Sequence, residues 1–247
     1  MSLERLNTAR VHHNMILEQD RGQIAQSVQE SVVYDDYKEI EPKVWIEDTD
    51  CVSAMIDKQR EYDETAITIL NFASFHEPGG GYISGAWAQE ESLCSESNLW
   101  EILNDEKFDS YYGYNYKHHN DGLYEHRAIF TPDVKFTRIG FGPRYCNVLT
   151  CASPNYKNAI LKHSHDKIVE VYKERLKFIY NILTRERQSL LVAGAWGCGV
   201  FGFPRDISEK LFRETATIDT ILAIPSDPYF KPKRRYAEAK SSTQGKE

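Results

Sequence analysis

The sequence is 247 residues long, is 41% hydrophobic and carries a formal net charge of −7. It therefore has enough apolar material for a sizeable core, and it lacks the basic surface that general nucleic-acid binding requires. No apolar run approaches the roughly 18 residues that cross a bilayer, and Met1-Ser2-Leu3-Glu4-Arg5 is too polar for a secretory leader. These features predict an intracellular protein, cytoplasmic or, in a eukaryote, nuclear, with no membrane attachment and no direct DNA binding; a monomer is expected, although no sequence feature sets the oligomeric state.

Leu3 to Glu30 repeats apolar residues at helical spacing through Leu6, Val11, Ile16 and Ile24, with an interruption near Gly22. It reads as a helical N-terminal extension within about residues 1–40. Lys43 to Ile46 is a predicted strand and Cys51 to Arg60 a predicted helix. The β-branched run from Thr65 to Phe72 reads as a buried strand that delivers Asn71 to a glycine turn at its carboxyl end, the edge where α/β sheets bind ligands.

That turn is Gly79-Gly80-Gly81, followed after Tyr82 to Ala88 by Gln89-Glu90-Glu91. A glycine triplet loses more backbone freedom on folding than any other run, so it marks a place where something approaches the main chain closely. Two adjacent carboxylates supply acid–base chemistry: one can hold a substrate hydroxyl while repulsion and burial raise the pKa of the other. Gln89 to Leu103 reads as one helix, which sets Glu90 and Glu91 in its first turn, beside orphan N–H groups.

Residues 108–124 carry Phe108, Tyr111, Tyr112, Tyr114, Tyr116 and Tyr124 among polar neighbours. They read as a tyrosine-rich loop that packs on the body, or alternatively stacks on a base. Arg127 to Phe130 and Tyr145 to Thr150 are predicted strands, with Pro132 and Pro143 bracketing a loop. His165 to Leu183 is an amphipathic helix with Ile168, Tyr172, Leu176, Ile179 and Leu183 on one face.

A second loop follows the predicted strand Ser189 to Ala193. It reads Gly194-Ala195-Trp196-Gly197-Cys198-Gly199-Val200-Phe201-Gly202 and leads through Pro204 into a predicted helix, Asp206 to Glu214. A strand, a glycine-studded loop and a helix make a phosphate cradle in which amides bind the anion without a charged side chain. The loop lacks the lysine of a Walker sequence and the glycine spacing of a nicotinamide site. Ile218 to Ile224 is the last predicted strand, and residues 231–247 read as a flexible basic and polar tail. Its Lys231-Pro232-Lys233-Arg234-Arg235 run suits a nuclear address, a contact to polymer phosphates, or simply a solvated end.

The five cysteines form no Cys-x-x-Cys pair, which suits reduced thiols. Cys198, inside the loop of amides, reads either as a stabilised thiolate or as a small packed residue. His12-His13 and His118-His119 have no third partner at a diagnostic spacing, so no metal and no cofactor is expected.

The glycine triplet with Gln89-Glu90-Glu91 resembles the catalytic signature of the macrodomain-type poly(ADP-ribose) glycohydrolases, in particular the compact microbial type. Asn71 to Ser74 repeat the family's wording before the glycines, while Phe75 and Glu77 depart from it. The second loop is close to the family's diphosphate loop, and Phe130-Thr131-Pro132-Asp133-Val134 is similar to a further family phrase. The likeness runs over roughly residues 5–225 and is strongest at 69–94 and 190–204. It implies an α/β fold: a macrodomain-like mixed β-sheet sandwiched between helices, forming one domain over 1–230 with the helical extension at its start.

The resemblance also implies a poly(ADP-ribose) glycohydrolase that acts on the polymer or on ADP-ribosylated proteins and yields ADP-ribose. On this reading Glu91 is the proton donor to the glycosidic oxygen and then the base for water, while Glu90 holds ribose hydroxyls. Asn71, Gln89 and the Gly79, Gly80 and Gly81 backbone fix the sugar. Gly197, Cys198, Gly199, Val200, Phe201 and Gly202 hold the diphosphate and the adjacent ribose, and Tyr229 or Phe230 lies on the adenine. Hydrolysis of mono-ADP-ribosyl groups and non-catalytic reading of ADP-ribose are the alternatives.

Overall fold

Side-chain alternation along the central strands divides the interior into two cores, one on each face of a sheet. A computed structural model gives the structure and describes residues 3–34, 43–61, 66–138 and 140–226. Its elements in chain order are α1 (Leu3–Gln19), α2 (Arg21–Glu30), β1 (Val32–Tyr34), β2 (Lys43–Glu47), α3 (Cys51–Glu61), β3 (Ile67–Phe72), α4 (Gln89–Ser95), α5 (Leu99–Leu103), α6 (Asp109–Lys117), β4 (Ala128–Phe136), β5 (Arg144–Cys151), α7 (Tyr156–Ala159), α8 (His165–Arg185), β6 (Leu190–Ala193), α9 (Arg205–Thr215) and β7 (Asp219–Ala223).

The strands form one seven-stranded mixed sheet in the order β1-β4-β5-β3-β6-β7-β2. From β5 to β2 all pairings are parallel, while β4 runs antiparallel to both β5 and β1. In β3, Ile67 and Ile69 enter one core and Leu70 the other. In β6, Leu190 and Val192 separate from Leu191 and Ala193 in the same way. The first core lies under α1 to α6. The second lies under α8 and α9, where the Ile168, Tyr172, Leu176, Ile179 and Leu183 face is fully buried. Each such aliphatic side chain removed from water contributes about 1.5–3 kcal/mol.

Four local features differ from the sequence reading. The predicted helix from Gln89 to Leu103 breaks into α4 and α5, because residues 96–98 turn to pair with the end of β4. Thr137 N donates to Glu96 O at 2.7 Å, and Lys135 N donates to Asn98 Oδ1 at 3.1 Å. Pro132 ends no strand. It lies within β4 at an irregularity between Thr131 and Val134, where Asp133 has φ +52° and the missing proline N–H removes no ladder bond. The tyrosine-rich stretch contains α6, with Phe108, Tyr111 and Tyr112 in the core. The N-terminal helix is interrupted at Asp20, with Gly22 inside α2. Tyr229, Phe230 and the tail from 231 lie outside the described residues, as does the end of the N-terminal extension at 35–40. Among the described residues no helix is long and apolar enough to cross a membrane.

Candidate active site

β3 ends at Phe72, and the chain then winds through the glycine turn before α4 begins at Gln89. Each residue of the triplet is a glycine for a steric reason. A Cβ on Gly79 would meet Trp100 at 2.4 Å, one on Gly80 would meet Glu91 Oε1 at 2.7 Å and Glu90 Oε2 at 3.0 Å, and one on Gly81 would meet Ala86 at 2.5 Å. Gly79 and Gly80 also have φ of +65° and +55°, a region unfavourable to side chains. The turn thus brings bare backbone onto both carboxylates.

Glu90 is 3% exposed. Its Oε1 accepts from Asn71 Nδ2 at 3.0 Å and its Oε2 from the Ser74 amide at 2.7 Å, while Asn71 Nδ2 also reaches Thr150 Oγ1 at 3.3 Å. Burial pushes the Glu90 carboxyl up to about 8; the Ser74 and Asn71 hydrogen bonds pull the other way, and the charge of Glu91 adds to the rise. Glu91 accepts from the Gly81 amide at 2.9 Å and the Ala88 amide at 2.8 Å. It closes the first turn of α4 as a capping glutamate and ties the helix to the glycine turn. Gln89 is a clamp: its Oε1 accepts from Phe72 N and its Nε2 donates to Leu70 O, both at 2.9 Å. That pair explains why α4 starts beside the end of β3.

The second loop follows β6, the neighbour of β3 in the sheet. Gly197, at φ +75°, packs on Ser153, and Gly202, at φ +72°, packs on Lys157. The Cys198 and Gly202 amides bond within the loop, to Ala195 O and Gly199 O. Among the described residues the Gly199, Val200 and Phe201 amides have no protein acceptor, and Val200 is 71% exposed. Three consecutive free amides are what an anion cradle needs. Burial pushes the Cys198 thiol up to about 11, away from the thiolate form.

Two features join the loops. Phe75, just past β3, stacks on Tyr124 with ring centroids 4.1 Å apart, and Tyr124 meets Phe201 edge-on at 6.1 Å. Gln89 and Ala195 line one cavity of about 320 Å³ with Asp50, Phe72, Trp87 and Pro225. It opens at the carboxyl ends of β2, β7, β6 and β3, and no tyrosine of the 108–124 set lines it. Sequence reasoning gave no role to Thr150, Trp87 or the Phe75–Tyr124 stack, and Ser74 and Phe75 entered it only as a match to and a departure from the family's wording. Tyr124 carried a signal only as part of the tyrosine set. Among the described residues no three His, Cys, Asp or Glu side chains gather where they could hold a metal ion.

Comparison with known proteins gives the same frame. The chain resembles the solved structure of the poly(ADP-ribose) glycohydrolase (PARG) of Thermomonospora curvata bound to the inhibitor ADP-HPD, at 23% identity and a TM-score of 0.79, over 90% of this chain and 94% of that one. It also resembles PARG of Deinococcus radiodurans in complex with ADP-ribose, at 24% identity and a TM-score of 0.68, over 82% of this chain and 90% of that one. At these identities the likeness is one of fold. No curated protein matches the chain. The family model for the microbial-type PARG catalytic domain matches residues 8–139. That match spans more than half of the sequence and contains the glycine turn with both glutamates, and on it the chain belongs to the microbial-type PARG catalytic-domain family, a class of glycoside hydrolases.

Proposed function

We propose that the protein hydrolyses the ribose–ribose O-glycosidic bonds of poly(ADP-ribose) and releases ADP-ribose. The observation that carries this reading is the meeting of two buried carboxylates and three free loop amides at neighbouring strand ends, joined by the Phe75–Tyr124–Phe201 rings. The adenosine half occupies the cavity beside Asp50 and Trp87. The diphosphate takes the Gly199, Val200 and Phe201 amides, and the terminal ribose lies between Phe201 and the glycine turn. Main-chain groups do most of the positioning, so little reorganisation is needed as charge develops.

Cleavage passes through an oxocarbenium-like state. Glu91 gives its proton to the departing glycosidic oxygen as the bond to the anomeric carbon breaks. The resulting carboxylate takes a proton from the attacking water, which restores the acid. Glu90, braced by Asn71 and Ser74, holds ribose hydroxyls with its remaining lone pairs. The deeper burial of Glu90, which raises its carboxyl to about 8, favours a second assignment within the same function, with Glu90 as the alternative proton donor.

The test uses poly(ADP-ribose) and serine-, arginine- and aspartate-linked mono-ADP-ribosyl peptides, with product chromatography and calorimetric ADP-ribose binding. Glu91→Gln is expected to abolish release from the polymer while ADP-ribose affinity changes by no more than a few fold. Full activity of Glu91→Gln with loss in Glu90→Gln reverses the roles. Turnover of the peptides alone replaces the polymer with mono-ADP-ribosyl substrates.

A further inference from the structure

A second, larger cavity of about 640 Å³ opens at the start of β4, lined by the segment from Leu123 to Arg127 and by Lys167, Val171 and Arg175 of α8. Tyr124 lines it too, and the same ring stacks on Phe75 and touches Phe201. A single aromatic side chain thus connects this cavity with both loops of the candidate active site. The cavity lies at the β4–β5 side of the sheet, and the cavity assigned to adenosine lies at the β7–β2 side.

The lining concentrates positive charge in an acidic chain. Arg127 stands over the Tyr114 ring at 4.4 Å and the Tyr111 ring at 5.2 Å, and Lys167 reaches Glu170 at 2.8 Å. Glu125, the one carboxylate of the lining, accepts from the Tyr114 hydroxyl at 3.0 Å. Burial and the charge of Arg175 hold His126 down at about 4, so it is neutral at physiological pH.

Arg175 is the decisive group. It is fully buried and donates to Ala152 O at 3.0 Å, to Leu123 O at 2.9 Å and to His126 Nδ1 at 3.3 Å. Among the described residues no carboxylate forms an ion pair with it. Two carbonyls and the His126 imidazole satisfy its hydrogen bonds, and the one carboxylate whose charge acts on it, Glu125, makes no ion pair with it, so burial outweighs that attraction and leaves room for a further anion.

We propose that this cavity is a second anion site that takes a diphosphate group. Arg127 and Lys167 contact it and Arg175 supplies a fixed positive field. Two sources offer that chemistry: the neighbouring ADP-ribose unit on the leaving side of the cut bond, or a free diphosphate. The first rests on the function proposed above, because a polymer held with its adenosine near β2 and its reacting ribose near β3 continues toward β5 and β4.

The test titrates inorganic pyrophosphate into the full chain already saturated with ADP-ribose, which fills the Gly199–Phe201 amides. One further pyrophosphate site is expected by calorimetry, weakened about 10-fold in Lys167→Gln and in Arg127→Gln, with both variants retaining their ADP-ribose affinity. No binding, or binding that neither variant weakens, overturns the proposal. Initial rates separate the two sources: a higher KM for poly(ADP-ribose) than for a mono-ADP-ribosyl peptide in the variants identifies the neighbouring unit, and unchanged kinetics with weakened pyrophosphate binding identify the free diphosphate. Absence of ADP-ribose binding in the wild type defeats the functional reading alone, because pyrophosphate titrated into the bare protein still reports on Arg127 and Lys167.

Discussion

Glu90 and Glu101 are carboxyl groups that burial pushes up to about 8. In the unfolded chain such groups titrate near 4.3. Between those values the folded state binds more protons than the unfolded one, so stability is fullest at acidic pH and is lost as pH rises toward 8. Melting temperature measured at pH 5, 6.5 and 8 is expected to fall with pH. Glu90→Gln should flatten the slope, although the new amide nitrogen cannot accept as the carboxyl oxygens do from Asn71 and Ser74. A wild-type curve that rises with pH would contradict the burial of these acids. Gly80 makes the complementary case, since an alanine there has a strained φ and drives its Cβ into both carboxylates. Displacing them by ~1 Å costs about 100-fold in rate, so Gly80→Ala should lose kcat while calorimetry still detects ADP-ribose. The triplet and Gln89-Glu90-Glu91 were legible as a site because their meaning is local. Ser74 and Thr150 were not, because a serine amide and a threonine hydroxyl acquire a role only once the fold aims them.

α1 shows how an element far along the chain from the glutamates can steady them. His12 Nδ1 meets the Tyr82 hydroxyl at 2.6 Å, with both groups buried, and His13 Nδ1 meets Glu101 at 3.0 Å with its ring edge-on to Trp100. Tyr82 directly follows Gly81, whose amide holds Glu91, and Trp100 packs on Gly79. His12→Phe keeps the ring volume and removes the hydrogen bond, so urea unfolding should show a loss of about 1–3 kcal/mol. At the same scale the helices α3, α8 and α9 and the strands β2, β3, β6 and β7 were legible from periodicity within a residue or two. The break between α4 and α5 and the passage of β4 through Pro132 were not. Both are set by pairing between segments distant in sequence, which overrides local propensity.

Across the whole molecule, Arg138 ties the first helix after β2 to the break between α4 and α5. Its guanidinium donates to Asp50 at 2.8 Å and to Glu96 at 3.1 Å, and the two carboxylates draw its already high pKa further up. Arg138→Met removes the guanidinium that both carboxylates share, while Asp50 keeps its bonds from Val52 N, Ser53 N and Ser53 Oγ; the loss is expected to cost about 3–5 kcal/mol, read as a lower urea midpoint with an unchanged m-value. The fold class could be read from alternating strands and helices. The strand order that makes β3 and β6 neighbours could not, because sheet order is a property of long-range pairing.

The Phe75–Tyr124–Phe201 contact carries a consequence for assembly. Its three rings come from segments far apart along the backbone, so the cleft closes only after slow, non-local loop closures have taken place. On refolding from urea, far-ultraviolet ellipticity should recover ahead of hydrolytic competence, and the lag between the two signals would time the docking of those rings.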